Sequence, residues 1–520
     1  MEHRSALAVP RFRLKPASGP LTDLGLGLLV VLAGLVTRLY GLGDKPYWLD
    51  EVTTLHRSAL PARAMIRDSL SFHHLPLYFL ISGWFIPHGT DEATLRLPAA
   101  LFGAVSCLLL FGLTRTLGGR RAALGAGLLL ALSPFQVQYG QEARSYTLVI
   151  SFILLGLWAL VVALREPSRA ALPLHRAGSA WRAWLVYGLA TTAALDTLSV
   201  ALFWLAAGLI ALLAAAWRDA AARRGLLVNV AIVHAAVLAC YLPWIVAMHR
   251  LTKGDMGSGL DWVPPLNWER LWTTIQAVYL LRTTSLIAFH TFPDGVAWLG
   301  GMVCALALFG LWRVPRRQPA MTAAKIALVT LPAGLLVASL VSSVWMPRYL
   351  AWSGPIFFLF AGLGLGCLPR NLSFGVLAVM IVAGVANLLP YYRLETKPLW
   401  NDAAMMLRGS LPADALLLTD DPGAIDMMNV RLQRLADPFP DELWTDDATR
   451  ALQSLHDGHP VLAVHGRVGQ ADHTPLSAFL DMVAPLGAPC MTRTVGLDII
   501  IEAFTPDGRP CPTTPETGGA

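Results

Sequence analysis

Residues 21–51 read LTDLGLGLLVVLAGLVTRLYGLGDKPYWLDE. The run from Leu21 to Tyr40 holds one acid near its start and one arginine near its end. Its length matches the ~20 residues that cross a hydrocarbon core. Beyond it the chain reaches Tyr47-Trp48-Leu49-Asp50-Glu51, an aromatic pair followed by two adjacent carboxylates. Ionisable groups at a span end are costly to hold there and mark sites of function more often than not. Arg4, Arg11, Arg13 and Lys15 precede the run without a small-residue cleavage signal, so it reads as an uncleaved first span.

The same pattern repeats along the chain. Of 520 residues, 55% are hydrophobic and 14% charged, against roughly a quarter charged in a soluble domain. Apolar blocks are expected to span at Leu21–Tyr40, Pro98–Thr114, Ala122–Tyr139, Thr147–Leu164, Ala183–Leu195, Ser199–Trp217, Leu226–Met248, Gly295–Trp312, Ile326–Val344, Tyr349–Cys367 and Leu372–Pro390. A tight hairpin at Asp196 separates the fifth from the sixth. Leu75–Pro87 is too short to cross and reads as an outer-surface or re-entrant helix. The fold class is therefore mainly α, a polytopic transmembrane bundle over residues 21–390. Residues 1–20 form a cytoplasmic segment, 391–507 a small α/β soluble domain outside the membrane, and 508–520 a disordered tail rich in Pro, Thr and Gly.

The net charge of +6 resides in short loops between apolar blocks, a topogenic pattern rather than a nucleic-acid surface. Arg115, Arg120 and Arg121, then Arg165, Arg169 and Arg176, then Arg218, Arg223 and Arg224, then Arg313, Arg316 and Arg317 fall on one side, which the positive-inside bias makes cytoplasmic. Asp50 and Glu51, the Gln141–Tyr146 turn, Asp196, the Met248–Phe292 loop and Arg348 then share the outer face. Cys107, Cys240, Cys304 and Cys367 lie inside apolar blocks and no CxxC occurs; Cys490 and Cys511 are either a pair outside the membrane or two free thiols.

Chemistry-bearing residues cluster at those outer span ends. Neighbouring side chains cannot both point one way, so either Asp50 or Glu51 is expected to serve as a base, with Asp50 preferred. The other reading is a helix cap with solvated acids. His73-His74-Leu75-Pro76-Leu77-Tyr78 and Arg96 follow. His74 and Tyr78 fit substrate contact or an aromatic belt at headgroup level, and Arg96 substrate contact or a span anchor. Metal-ligand spacing is absent here, and a divalent metal stays open. In Gln141-Glu142-Ala143-Arg144-Ser145-Tyr146, Arg144 can fork to a phosphate and Glu142 can orient it or bind a sugar hydroxyl, with Gln141 and Tyr146 as further substrate contacts; a local ion pair is the alternative. Arg348, beside Tyr349, can neutralise a departing phosphate or snorkel to headgroups. Asp196 reads as the hairpin's turn residue or a third acid. Asp261-Trp262-Val263-Pro264-Pro265 has the composition of a lid.

Taken in order, WLDE around Asp50 and Glu51, HLPLY at His74–Tyr78, RLPAALFG from Arg96, the QEARSY turn and PRYL from Pro347 resemble the GT-C superfamily. Within it the chain is similar to bacterial protein O-mannosyltransferases, lipid A aminoarabinose transferases and rhizobial lipopolysaccharide galacturonosyltransferases. The resemblance implies an inverting transfer from a polyprenyl-phosphate sugar at the bacterial plasma membrane, with the first-loop acid as base. It implies a lipid A or glycolipid, polysaccharide or protein acceptor and no certain cofactor. Relatives carry two prolines where this chain has Leu75-Pro76, and often a His-Tyr pair where it has Asp196-Thr197, which leaves that part of the donor site open.

The C-terminal region reads as helix at Trp400–Leu411, Ala424–Leu435, Asp446–His456 and Pro475–Leu486, and strand at Ala415–Thr419, Val461–His465 and Gly496–Phe504. No GxGxxG and no P-loop occurs, which argues against nucleotide binding. Acceptor recruitment, a lid or simple packing are its candidate roles. Two rival readings of the whole remain. A lipid-sugar flippase or secondary transporter would place ionisable groups near the midplane of repeated halves, and no internal repeat is seen. A non-catalytic assembly partner leaves the paired acids unexplained.

Overall fold

The computed structural model describes residues 20–254, 263–285, 291–292, 295–315, 318–420, 422–466, 474–496, 499–506 and 509–511. Asp261 and Trp262 of the expected lid, Arg316, Arg317, the N-terminal basic segment and the expected disordered tail from 512 on lie outside the described residues.

Each of the eleven expected spans contains a helix. The first is α1 (Pro20–Leu39). Three short helices, α2 (Leu49–Ser58), α3 (Ala62–Ser71) and α4 (Leu77–Gly83), then fill the first loop. Next come α5 (Glu92–Gly118), α6 (Arg120–Leu132), α7 (Pro134–Gly140) and α8 (Tyr146–Leu164). After the short α9 (Pro167–Ala170) follow α10 (Trp181–Leu195), α11 (Leu202–Arg218) and α12 (Arg223–Leu251). A surface helix, α13 (Trp268–Val278), precedes α14 (Ala297–Arg313), α15 (Pro319–Ala338), α16 (Ser353–Cys367) and α17 (Arg370–Arg393). Among the described residues seven helices are long and apolar enough to cross a membrane, with α11 counted from Ser199, and eight if the bent α6–α7 pair counts as one. The other three, α10, α14 and α16, have 15 to 17 residues.

Local chemistry sets the boundaries that matter for the site. Asp91 caps α5 by accepting from the Thr94 amide at 3.0 Å. Gly119, at φ +92°, turns the chain from α5 into α6, a conformation that favours glycine. Pro134 ends α6, because the residue before a proline is pushed out of the helical region and the ring starts the next helix well. The two segments meet at 62°. A broken helix strands carbonyls with no water to satisfy them. Here the first span supplies donors: Arg38 Nη2 reaches the Leu130 carbonyl at 3.2 Å and Thr37 Oγ1 the Ala131 carbonyl at 2.9 Å. Arg38 is buried although it lies within a span. As expected, the chain reverses at Asp196, with a 3-10 turn (Ser199–Ala201) leading into α11.

The C-terminal domain has α18 (Trp400–Ser410), β1 (Leu416–Thr419), α19 (Pro422–Gln433), β2 (Trp444–Thr445), α20 (Ala448–His456), β3 (Val461–Gly466), α21 (Thr474–Val483), β4 (Met491–Val495) and β5 (Ile499–Phe504). The sheet order is β2-β1-β3-β5-β4, with β2, β1 and β3 parallel and β5 antiparallel to both β3 and β4. The sequence reading lacks β2, which is only two residues long, and β4, whose exposed Thr492, Arg493 and Thr494 give no apolar alternation. Cys490 and Cys511 form a disulfide that ties the stretch after β5 to the residue before β4. The domain sits on the first loop: Trp400, Ala404, Ile425 and Met428 share one apolar cluster with Tyr47, Trp48, Val52 and Leu55. Arg434 adds an ion pair to Glu92 at 2.6 Å.

Candidate active site

Helix α2 starts at Leu49, directly after Trp48 in extended conformation, so both acids fall in its first turn, where the helix dipole favours negative charge. Successive helical residues point about 100° apart. The two carboxylates therefore enter different surroundings.

Glu51 is fully buried. Its Oε1 accepts from Arg96 Nε at 2.7 Å and the Ala143 amide at 2.8 Å; its Oε2 accepts from Arg96 Nη2 and Lys397 Nζ, both at 2.8 Å. That fills the four acceptor positions of a carboxylate. Burial opposes the charge, but Arg96 and Lys397 overcome it and hold the carboxyl at about 2. Arg96 is equally committed. Its remaining donors go to the carbonyls of Leu42 (3.0 Å), Lys45 (2.7 Å) and Pro46 (2.9 Å), so all five guanidinium protons are used.

Asp50 is 26% exposed and faces two arginines. Its Oδ2 lies 3.2 Å from Arg348 Nη1 and 3.4 Å from Arg144 Nη2. Arg144 also reaches the Asp50 carbonyl at 3.4 Å and His74 Nε2 at 3.5 Å. Burial pushes the Asp50 carboxyl up, yet the two guanidinium charges outweigh it and the carboxyl stays below its usual range. His74 is driven down to about 3, by burial first and then by Arg144 and Arg57, so it is a neutral imidazole. The backbone at His73 takes φ +60°, which turns the loop so that the His74 amide bonds the Ser69 carbonyl at 2.8 Å. Arg348 sits in a 3-10 turn (Pro347–Leu350) with its guanidinium 5.8 Å from the Trp48 ring and 5.7 Å from the Tyr349 ring.

The turn after α7 supplies the rest. Gln141 Nε2 donates to the carbonyls of Arg38 (3.1 Å) and Tyr40 (2.6 Å), and its Oε1 accepts from Tyr391 at 2.9 Å. Glu142 is fully buried and, among the described residues, neither carboxyl oxygen has a hydrogen-bond partner. Burial raises it to about 8, against the pull of Lys397, so burial favours its protonated form. Tyr146 opens α8 and packs edge-on against Tyr139, with ring centres 4.9 Å apart. Among the described residues no three His, Cys, Asp or Glu side chains are gathered as a metal would need.

The family described as dolichyl-phosphate-mannose-protein mannosyltransferase matches residues 74–244, a stretch that includes His74, Arg96 and the Gln141–Tyr146 turn. The fold is similar to that of ArnT from Cupriavidus metallidurans in the apo state, at 16% identity over 93% of this chain and 98% of that one, with a TM-score of 0.55. The same enzyme bound to undecaprenyl phosphate gives 15% identity, 93% and 97% coverage, and 0.54. This chain has the GT-C fold. The archaeal oligosaccharyltransferase AglB from Archaeoglobus fulgidus, in complex with an inhibitory peptide and a dolichol-phosphate, shares it at 11% identity over 85% of this chain and 69% of that one, with a TM-score of 0.54. No curated protein sequence gives a significant match.

On this GT-C fold the residues singled out from sequence fall into two groups. Asp50, Arg144, Arg348 and His74 converge, with Tyr349 and Tyr146 beside the arginines. Glu51, Arg96 and Gln141 are hydrogen-bonded within the protein and hold the first loop against α5 and the α7–α8 turn. Tyr78 is buried in a small cluster with Met65 and Phe79. Asp196 lies on another helix end, where its carbonyl accepts from the Leu77 amide at 3.2 Å and burial lifts its carboxyl to about 6. Lys397 was not legible. It lies in a short polar stretch after the last span, and only the saturation of Glu51 reveals it.

Proposed function

We propose that this protein is an integral membrane glycosyltransferase that moves a sugar from a polyprenyl-phosphate carrier to an acceptor hydroxyl or equivalent group at the outer face of the bacterial plasma membrane. The observation that carries this reading is the carboxylate of Asp50 held between Arg144 and Arg348 at span ends of a GT-C fold. The relatives add support: one solved GT-C structure holds undecaprenyl phosphate and another a dolichol-phosphate.

In the unliganded arrangement Asp50 is ionised, as a base must be, but two cations weaken it. A carrier phosphate presented to the same arginines can accept from both prongs of each guanidinium, where Asp50 takes a single contact from each. Asp50 then loses both counter-charges and becomes more basic as the acceptor is aligned. It removes the acceptor proton while Arg144 and Arg348 neutralise the departing polyprenyl phosphate, an in-line displacement that inverts the anomeric centre. Glu142, favoured in its protonated form and unpartnered, can give or accept one hydrogen bond from a sugar hydroxyl. Acceptor classes in keeping with this site are lipid A or another glycolipid, a polysaccharide, or a protein hydroxyl.

Two features support the outward orientation. Arg115 and Arg120 gather on Asp23 at the end of α1 opposite Asp50, at 3.1 and 2.6 Å, in keeping with a positive inner face. The Cys490–Cys511 disulfide belongs in an oxidising compartment. The test is to incubate the purified protein with a panel of polyprenyl-phosphate sugars and membrane acceptors and to identify the product by mass. Absence of any glycosidic product, with sugar-lipid uptake into vesicles instead, overturns the enzymatic reading.

A further inference from the structure

The segment joining α17 to α18 is clasped to the first loop from both sides. Lys45 of the first loop donates to the carbonyls of Tyr391 (2.9 Å) and Leu394 (2.6 Å) and to Thr396 Oγ1 (2.8 Å). Lys397 of the segment returns a cation to Glu51 at 2.8 Å. Both Thr396 and Lys397 are buried, as is Trp400 at the start of α18. Glu51 already has a forked partner in Arg96, so Lys397 is not needed to neutralise it. Two buried cations, Arg96 and Lys397, thus bond the single carboxylate of Glu51, at a depth where a charged group is costly to bury. The further carboxyls within electrostatic reach are Glu142, on the side of Lys397, and Glu92, on the side of Arg96.

We propose that Lys397 is a positioning residue: through Glu51 it fixes the first turn of α2, and with it Asp50, so that the docked C-terminal domain is a working part of the active site. Lys397 follows the last span and Asp50 follows the first, so the catalytic acid and its support come from opposite ends of the membrane-spanning region. This inference rests on the transfer reaction proposed above for Asp50.

The test compares two replacements in the full-length protein. Lys397→Met keeps most of the side-chain volume and removes the charge; Lys397→Arg keeps the charge. The expected result is a loss of turnover of tenfold or more in Lys397→Met, with Lys397→Arg recovering most of it, and faster amide exchange over Leu49–Ser58 in the Met variant alone. Turnover in Lys397→Met within twofold of the parent overturns the proposal. If both variants are inactive, the exchange measurement decides: unchanged protection of α2 in Lys397→Met overturns it, and lost protection confined to α2 supports it. If the parent transfers no sugar, the functional reading fails by itself, while the exchange comparison still tests whether Lys397 orders α2.

Discussion

Asp50 and Glu51 are adjacent in sequence and opposite in circumstance: the first is 26% exposed between two arginines, the second is fully buried with every acceptor position filled. Their replacements should therefore fail in different ways. Asp50→Asn keeps shape and removes the base, so turnover should fall by on the order of 10²–10⁴ with little change in melting temperature. Glu51→Gln leaves Arg96 and Lys397 without their counter-charge. Breaking a buried ion pair by removing one partner costs roughly 3–5 kcal/mol, so this variant should lose stability first and activity as a consequence. Thermal unfolding in detergent, measured beside turnover, separates the two. An Asp50→Asn enzyme that retains parental turnover removes Asp50 as base.

Arg144 and Arg348 are expected to act on the carrier rather than the acceptor. A hydrogen bond to a charged group contributes roughly 1.5–3 kcal/mol, which corresponds to a loss of about tenfold or more in affinity for the phosphate-bearing donor. Arg144→Ala and Arg348→Ala should each raise the donor KM by that factor and leave the acceptor KM nearly unchanged. Lysine at either position restores charge but not the planar fork, so recovery should be partial. Equal losses for both substrates would count against a phosphate clamp.

Much of this fold was legible because membrane crossing has a strong sequence signature. Length and apolarity located a helix in each of eleven expected segments, and the aromatic-acid run at Tyr47–Glu51 marked the start of α2, the first element of the candidate site. The different surroundings of that pair were half legible. Helical geometry says only that neighbours diverge; which one turns inward depends on Arg96 and Lys397, distant in sequence. Arg96 and Gln141 look like site residues for the same reason that makes them structural ones: polar groups at membrane depth must be paired, and sequence does not say with what. Short strands such as β2 escape because two residues carry no periodicity.

Glu142 gives a pH dependence with a definite sign. Its carboxyl ordinarily titrates near 4.5, and burial raises it to about 8 in the folded protein. The folded state thus prefers the protonated form. The stability this contributes is present in full below 4.5 and is lost as pH rises toward 8. Ionisation also places a negative charge near Arg348 and the proposed phosphate position. Donor binding should weaken as pH passes about 8, and Glu142→Gln should remove that limb of the pH profile while leaving the acidic limb in place. A profile identical in the Gln variant would detach Glu142 from the donor.

The bend between α6 and α7 should prove as important as the residues it carries. Arg38 closes that bend by donating to the Leu130 carbonyl, and it fits only because positions 103 and 140 lack a side chain. A Cβ at Gly103 would stand 2.4 Å from Arg38 Nε, and one at Gly140 would stand 2.9 Å from the same atom. Arg38 has little freedom to retreat, since Nη1 is already bonded to the Gly34 carbonyl at 3.2 Å. Gly103→Ala should therefore force the guanidinium off the broken helix, at a cost typical of overpacking, about 1–3 kcal/mol. The consequence should reach the site, because α7 ends at the turn that holds Gln141, Glu142 and Arg144. Lower melting temperature, faster amide exchange across residues 130–146 and reduced donor affinity should appear together in Gly103→Ala. The neutral control is Gly25→Ala, where nothing beyond its chain neighbours and its own helix backbone lies within 4 Å of the added carbon. If Gly103→Ala behaves like that control, Arg38 is not what holds the bend in place.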